Sequence, residues 1–105
     1  MITIKQGESY RIPFTLKQDD QIMTPDMIQD LKVCIGDYHF KYSDGSLRFE
    51  EQSMEWWFRP TQGETLAMPE GRTKMCAHIK YHNGDILIED AGAVIIKQGC
   101  CGEEF

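Results

Sequence analysis

The residues best suited to chemistry in this 105-residue chain lie on one alternating stretch, Arg72-Thr73-Lys74-Met75-Cys76-Ala77-His78-Ile79-Lys80-Tyr81. Side chains two apart on a strand share a face, so Cys76 and His78 would emerge together between Lys74 and Lys80. A thiol beside an imidazole in a positive setting is the arrangement that makes cysteine a nucleophile. Cys34 and His39 form a second, looser pair. Against a thiol enzyme stand the distance between i and i+2 side chains along a strand and the lack of a third group to orient the base. Together with Cys100 and Cys101 the same residues offer zinc ligands. Structural zinc sites, however, use cysteines two to four residues apart, and Cys76-x-His78 and Cys100-Cys101 do not. A disulfide between Cys34 and Cys76 requires neighbouring strands. Both alternate with lysines and so face outward, and free thiols are expected.

The acids Glu50-Glu51, Glu55, Asp85, Glu89-Asp90 and Glu103-Glu104 are scattered over turns and strand ends, as on a solvated surface. No phosphate loop, nucleophile elbow or His-Glu-x-x-His motif is present. Arg72, Lys74, His78, Lys80 and His82 form a basic face that could meet an acidic partner, although an ordinary wet strand face is the favoured reading. Trp56-Trp57 is more informative. Consecutive strand residues point opposite ways, and the phase of Met54 and Phe58 puts Trp56 inside. Trp57 is left outward beside Arg59, and Trp and Arg are enriched at binding hot spots. Alternatively, a helix at Thr61–Ala67 or the C-terminal tail covers it.

The elements that must position these groups are strands. Ile2–Ile4 is short and is broken at Gly7. Ser9–Lys17 follows, with Tyr10, Ile12, Phe14 and Leu16 on one face. Pro13 inside that run has no N–H for a ladder, which implies an edge strand or a bulge. Gln18-Asp19-Asp20-Gln21 is a turn, and Thr24-Pro25-Asp26 starts one or two helical turns with Thr24 as the cap. Asp30–Ile35 and Tyr38–Tyr42 alternate about a hairpin at Gly36-Asp37. Asp44-Gly45 signals another hairpin before Leu47 and Phe49. Met54–Arg59 alternates again, and Thr61-Gln62-Gly63-Glu64 fits a capping box. Arg72–Tyr81 is the longest expected strand. Asn83-Gly84 is the best two-residue hairpin turn, leading to final strands Ile86–Glu89 and Ala91–Lys97. The pattern predicts an all-β antiparallel sandwich of seven to nine short strands with one or two short helical turns. Residues 1–97 form one domain in this reading, and 98–105 a mobile tail.

The apolar fraction of 41% and aromatic fraction of 10% belong to a globular chain. A net charge of -6 argues against nucleic acid as the main partner, since phosphate binding needs a basic surplus. The longest apolar run, Ala91–Ile96, is far short of the ~20 residues of a membrane span. No charged-then-apolar leader opens the chain, and the expected location at synthesis is the cytoplasm.

One resemblance runs through several of these segments. Ile4-Lys5-Gln6-Gly7-Glu8-Ser9-Tyr10-Arg11-Ile12-Pro13-Phe14-Thr15-Leu16-Lys17 resembles the opening of small proteins from phages and prophages of Firmicutes, similar to the N-terminal domain of the baseplate upper protein family. Members open with a Gly–acid turn and an apolar alternating strand, often with Pro, then a Thr-Pro-Asp-like helix start, here Thr24-Pro25-Asp26. Asp30–Gly36, Glu55–Thr65 and Gly71–Asp85 resemble later parts of the pattern more loosely. Cys100-Cys101 departs from it. The resemblance implies an immunoglobulin-like sandwich that is a structural part of a phage tail, baseplate or fibre. It offers no catalytic residues to carry over.

The expected function is therefore a non-catalytic virion component acting through protein–protein contact with other phage structural proteins or with itself. No cofactor, nucleic acid or membrane is expected to take part, and a phage-encoded chain would end in the virion. Trp57, Arg59, Pro13 and Tyr38 are the candidate contact residues. The alternative is a ligand-binding sandwich in which Trp57, Tyr38 or Tyr42 stacks on a carbohydrate.

Overall fold

Alternation decides which side of each strand is wet. In the computed structural model, which describes residues 2–100 and 102–105, Leu31, Val33 and Ile35 are buried while Lys32 and Cys34 between them are half-buried. The strands in chain order are β1 (Ile2–Lys5), β2 (Ile12–Phe14), β3 (Lys17–Gln18), β4 (Gln21–Ile22), β5 (Asp30–Ile35), β6 (Tyr38–Lys41), β7 (Leu47–Glu50), β8 (Glu55–Phe58), β9 (Gly71–Lys80) and β10 (Ile86–Lys97). A 3-10 turn, Pro25–Met27, precedes β5, and a short helix α1, Gln62–Ala67, lies between β8 and β9.

The strands form a five-stranded sheet ordered β1-β10-β9-β5-β6, a three-stranded sheet ordered β2-β8-β7, and a two-stranded ribbon of β3 and β4. The fold is an all-β sandwich. Its two main sheets follow the immunoglobulin division: β10, β9, β5 and β6 stand as strands G, F, C and C′, and β2, β8 and β7 as B, E and D. The first strand closes the large sheet by pairing in parallel with β10, Ile2 opposite Val94 through Lys5 opposite Lys97.

The core lies between the two sheets. Trp56 and Phe58 from the small sheet, with Leu31, Val33, Met75, Ala77 and Val94 from the large one, are wholly buried. Phe40 and Phe58 have ring centroids 4.7 Å apart, and Phe49 meets Trp56 edge-on at 5.1 Å. The buried Trp56 indole N–H donates to the Met23 carbonyl at 3.0 Å, so its polar atom is satisfied inside.

Several expectations need correction. Ser9–Lys17 is not one strand: β2 and β3 are separated at Thr15-Leu16. Tyr10 lies outside the core, 38% exposed, because its hydroxyl reaches back to the Thr3 carbonyl at 2.8 Å. The Thr24 hydroxyl bonds the Asp26 carboxylate rather than capping a backbone amide. Asp44-Gly45 does not form a hairpin. The Ser46 hydroxyl accepts from the Lys41 amide on the side of β6 away from β5 at 2.8 Å, while Tyr42 N–H still reaches the Leu31 carbonyl, and Leu47 then pairs opposite Phe58 in the other sheet. Met54 leaves the strand phase at φ 56° and stays exposed.

The loop at Asn83-Gly84 is longer than a two-residue turn. Gly84 N–H donates to Tyr81 at 3.0 Å and Tyr81 N–H to Asp85 at 2.9 Å, with Gly84 at φ 95°. That is a type I turn closed by a left-handed glycine. The last two expected strands are one, β10, with a bulge between Asp90 and Gly92, and at 12 residues it exceeds the 10 of β9.

Candidate interaction surfaces

The expected split of Trp56-Trp57 is observed. Trp56 is fully buried, and Trp57 is half-buried on the outer face of the small sheet. Register sets its neighbours: Pro13 on β2 lies directly opposite on one side and Arg48 on β7 on the other. The Arg11 guanidinium carbon sits 3.8 Å from the centroid of the Trp57 ring and that of Arg48 5.8 Å. A cation over an exposed indole contributes about 0.5–1 kcal/mol, so the arginines both cover the ring and hold its orientation. Arg11 also reaches Glu50 at 4.0 Å, an exposed pair worth little in itself. Arg59, exposed and two residues from Trp57 on β8's side of the sheet, shares a shallow groove with Trp57, Arg48 and Glu64.

Pro13, Trp57 and Arg59 are therefore brought together, and Tyr38 is not. It lies on β6 of the other sheet, opposite Ile35, and its ring packs on the core margin. Tyr42 packs edge-on against Trp56 at 5.4 Å.

The thiols and imidazoles assemble on the outer face of the large sheet. Cys34 stands opposite Cys76 on β9 and opposite His39 on β6, while His78 stands opposite Lys32. Burial pushes the Cys34 thiol up, Lys32 opposes that shift, and the neighbouring Cys76 adds to it. A nucleophilic cysteine needs the opposite shift. Burial pushes His78 down, and the charges of Lys32 and His39 add to this. Cys34, Cys76 and Cys100 are free thiols, and Cys101 lies outside the described residues. Among the described residues no three of His, Cys, Asp and Glu converge as metal ligands, and no helix is long and apolar enough to cross a membrane.

Two of the sequence segments singled out above prove to be locked together. The capping box of α1 forms as expected: Thr61 accepts from the Glu64 amide, and the Glu64 carboxylate accepts from the Thr61 amide. The helix then grips the Gly7-Glu8 turn. The buried Thr65 hydroxyl accepts from the Gly7 amide at 3.0 Å and donates to the Glu8 carbonyl at 2.9 Å. Gln62 Nε2 donates to the Gly7 carbonyl at 2.9 Å, and Ser9 donates to the Pro60 carbonyl at 2.8 Å. Among the described residues, Thr65 is the one fully buried polar side chain. Its role could not be read from local pattern, because its partners lie 57 and 58 residues away. From the tail, the Phe105 amide donates to Gln62 Oε1 at 2.9 Å.

A second surface was not singled out from the sequence. Ile86, Leu87 and Ile88 open β10 and are 61%, 43% and 65% exposed. The available signal was three consecutive apolar residues where a half-buried strand should alternate. No protein-family model matches the chain, and no curated protein matches it.

Proposed function

We propose that the chain is a non-catalytic structural component of a phage or prophage virion, belonging to a tail, baseplate or fibre and working through protein–protein assembly. The phage assignment rests on the resemblance of Ile4–Lys17, Thr24-Pro25-Asp26 and Glu55–Thr65. The sandwich architecture is compatible with it, and so is the hydrogen-bonded contact between the Gly7-Glu8 turn and α1. The observation that carries the assembly reading is Trp57, half-buried on an open sheet face between Arg11 and Arg48. An indole framed by guanidinium groups offers a rigid apolar surface with charge at its rim, the composition of a contact hot spot. Arg11, Arg48 and Arg59 are interleaved there with Glu50, Glu55 and Glu64, which favours a partner that presents charges of both signs around an apolar centre.

The test is affinity capture of tail and baseplate proteins encoded beside this chain. The wild type is expected to retain one of them, and Trp57→Ala to lose it without loss of fold. Equal capture by both would refute the Trp57 assignment, and neighbouring genes without tail or capsid products would refute the phage assignment. Carbohydrate binding is less supported. Trp57, Tyr38 and Tyr42 do not form one stacking platform, since Tyr38 lies on the other sheet and Tyr42 rests on Trp56.

A further inference from the structure

The first half of β10 is an open edge. β9 pairs with Ile86–Asp90 on one side, whereas β1 reaches the other side only from Val94 to Lys97. Among the described residues no strand covers the segment between. The bond from Tyr81 N–H to the Asp85 carbonyl sets the phase of the ladder. Alternation then turns the backbone groups of Leu87 and Glu89 toward β9, and those of Ile86, Ile88 and Asp90 toward the open side. The turn before Asp85 bounds the segment at one end. At the other the bulge bounds it, where the Asp90 carboxylate takes the Gly92 amide at 2.9 Å. Natural edges are blunted by proline, lysine or an internal bulge; Ile86-Leu87-Ile88 has none of these and is apolar on both faces.

We infer that this edge pairs with the same edge of a second copy, antiparallel about a two-fold axis at Ile88, joining two large sheets into one. Register selects the axis. Only residues with outward backbone groups can form the hydrogen-bonded pairs, so Ile86, Ile88 and Asp90 must meet one another. An axis at Asp90 sets that acid on its own copy. An axis between Ile88 and Asp90 sets Glu89 on Glu89, and one between Ile86 and Ile88 sets Asp85 on Glu89. The axis at Ile88 uses the whole free segment. It places Ile88 on Ile88, Ile86 on Asp90 and Leu87 on Glu89, and no two acids face each other, which matters for a chain of net charge -6. The contact is isologous and therefore closed, so it ends at a dimer. It is smaller than the ~800 Å² per partner of a standard interface, so the dimer forms at high concentration or where an assembly crowds copies together. It does not depend on the Trp57 face.

Sedimentation velocity over a concentration series tests this, with amide hydrogen exchange as the second readout. The wild type is expected to pass from monomer to dimer, and Ile88→Lys to weaken the dimer about ten-fold or more, because two like charges would meet at the axis. Dimer formation is expected to protect the Ile86, Ile88 and Asp90 amides, while those of Leu87 and Glu89 are protected at every concentration. Trp57→Ala is expected to dimerise as the wild type does. A wild type that is monomeric up to its solubility limit, an Ile88→Lys variant that dimerises equally well, or a dimer lost in Trp57→Ala would each overturn the proposal.

Discussion

β2 and the first half of β10 face the same problem, a row of backbone groups with no strand beside it, and they meet it differently. β2 is only three residues long and carries Pro13 at its centre, exposed. A proline on the outward phase of an edge removes the donor that an incoming strand would need. What the small sheet offers instead is side chains on its outer face, the Trp57 indole of the central strand β8 with Arg11 and Arg48 beside it. The β10 segment keeps all its donors and acceptors and adds three exposed apolar side chains. One surface is suited to recognition of a shaped, charged partner, the other to strand addition.

The comparison is broken most severely at the core both surfaces share. Trp56→Ala is expected to cost about 3–5 kcal/mol, through a large cavity and the lost bond to Met23. Trp57→Ala one residue away is expected to cost about 1 kcal/mol or less. Urea midpoints measure both, and similar losses would mean that Trp57 acts as a core residue. A smaller effect sharpens the difference between the edges. Pro13→Val restores a donor on β2 and is expected to change stability by under about 1 kcal/mol. In an Ile88→Lys background it should introduce new concentration-dependent association, read by sedimentation. No added association would show that the proline is not what guards that edge.

The smallest effect concerns the outer face beside Ile88. His78 titrates below its ordinary 6.5, so the unfolded chain binds the proton more tightly than the folded one. Its contribution to stability is therefore full above pH 6.5 and is lost as pH falls through that value toward the folded pKa. Urea unfolding at pH 7.5 and pH 5.5 should show lower stability at the acid end, and His78→Gln should flatten that part of the slope.

Much of this was legible locally. The inward phase of Leu31, Val33 and Ile35, the split of Trp56 from Trp57 and the α1 capping box depend on residues within a few positions of each other. The failures share one cause. Asp44-Gly45 has a hairpin sequence, but a turn cannot specify which sheet the next strand joins. That choice was made by Ser46, which occupies the Lys41 amide, and by the pairing of Leu47 with Phe58. Tyr10 has the phase of a core residue, but a bond to Thr3 takes it elsewhere.

Alternation and turn chemistry by themselves determined that this chain is a β-sandwich, which side of most strands is wet, and that Trp57 points outward. They act over two to four residues, the range of backbone sterics and local hydrogen bonds. Only the tertiary structure decided that Pro13 lies beside Trp57, that Thr65 holds the Gly7-Glu8 turn, and that β1 leaves half of β10 uncovered. Those facts depend on which distant strands become neighbours, and burial of the whole core sets that choice.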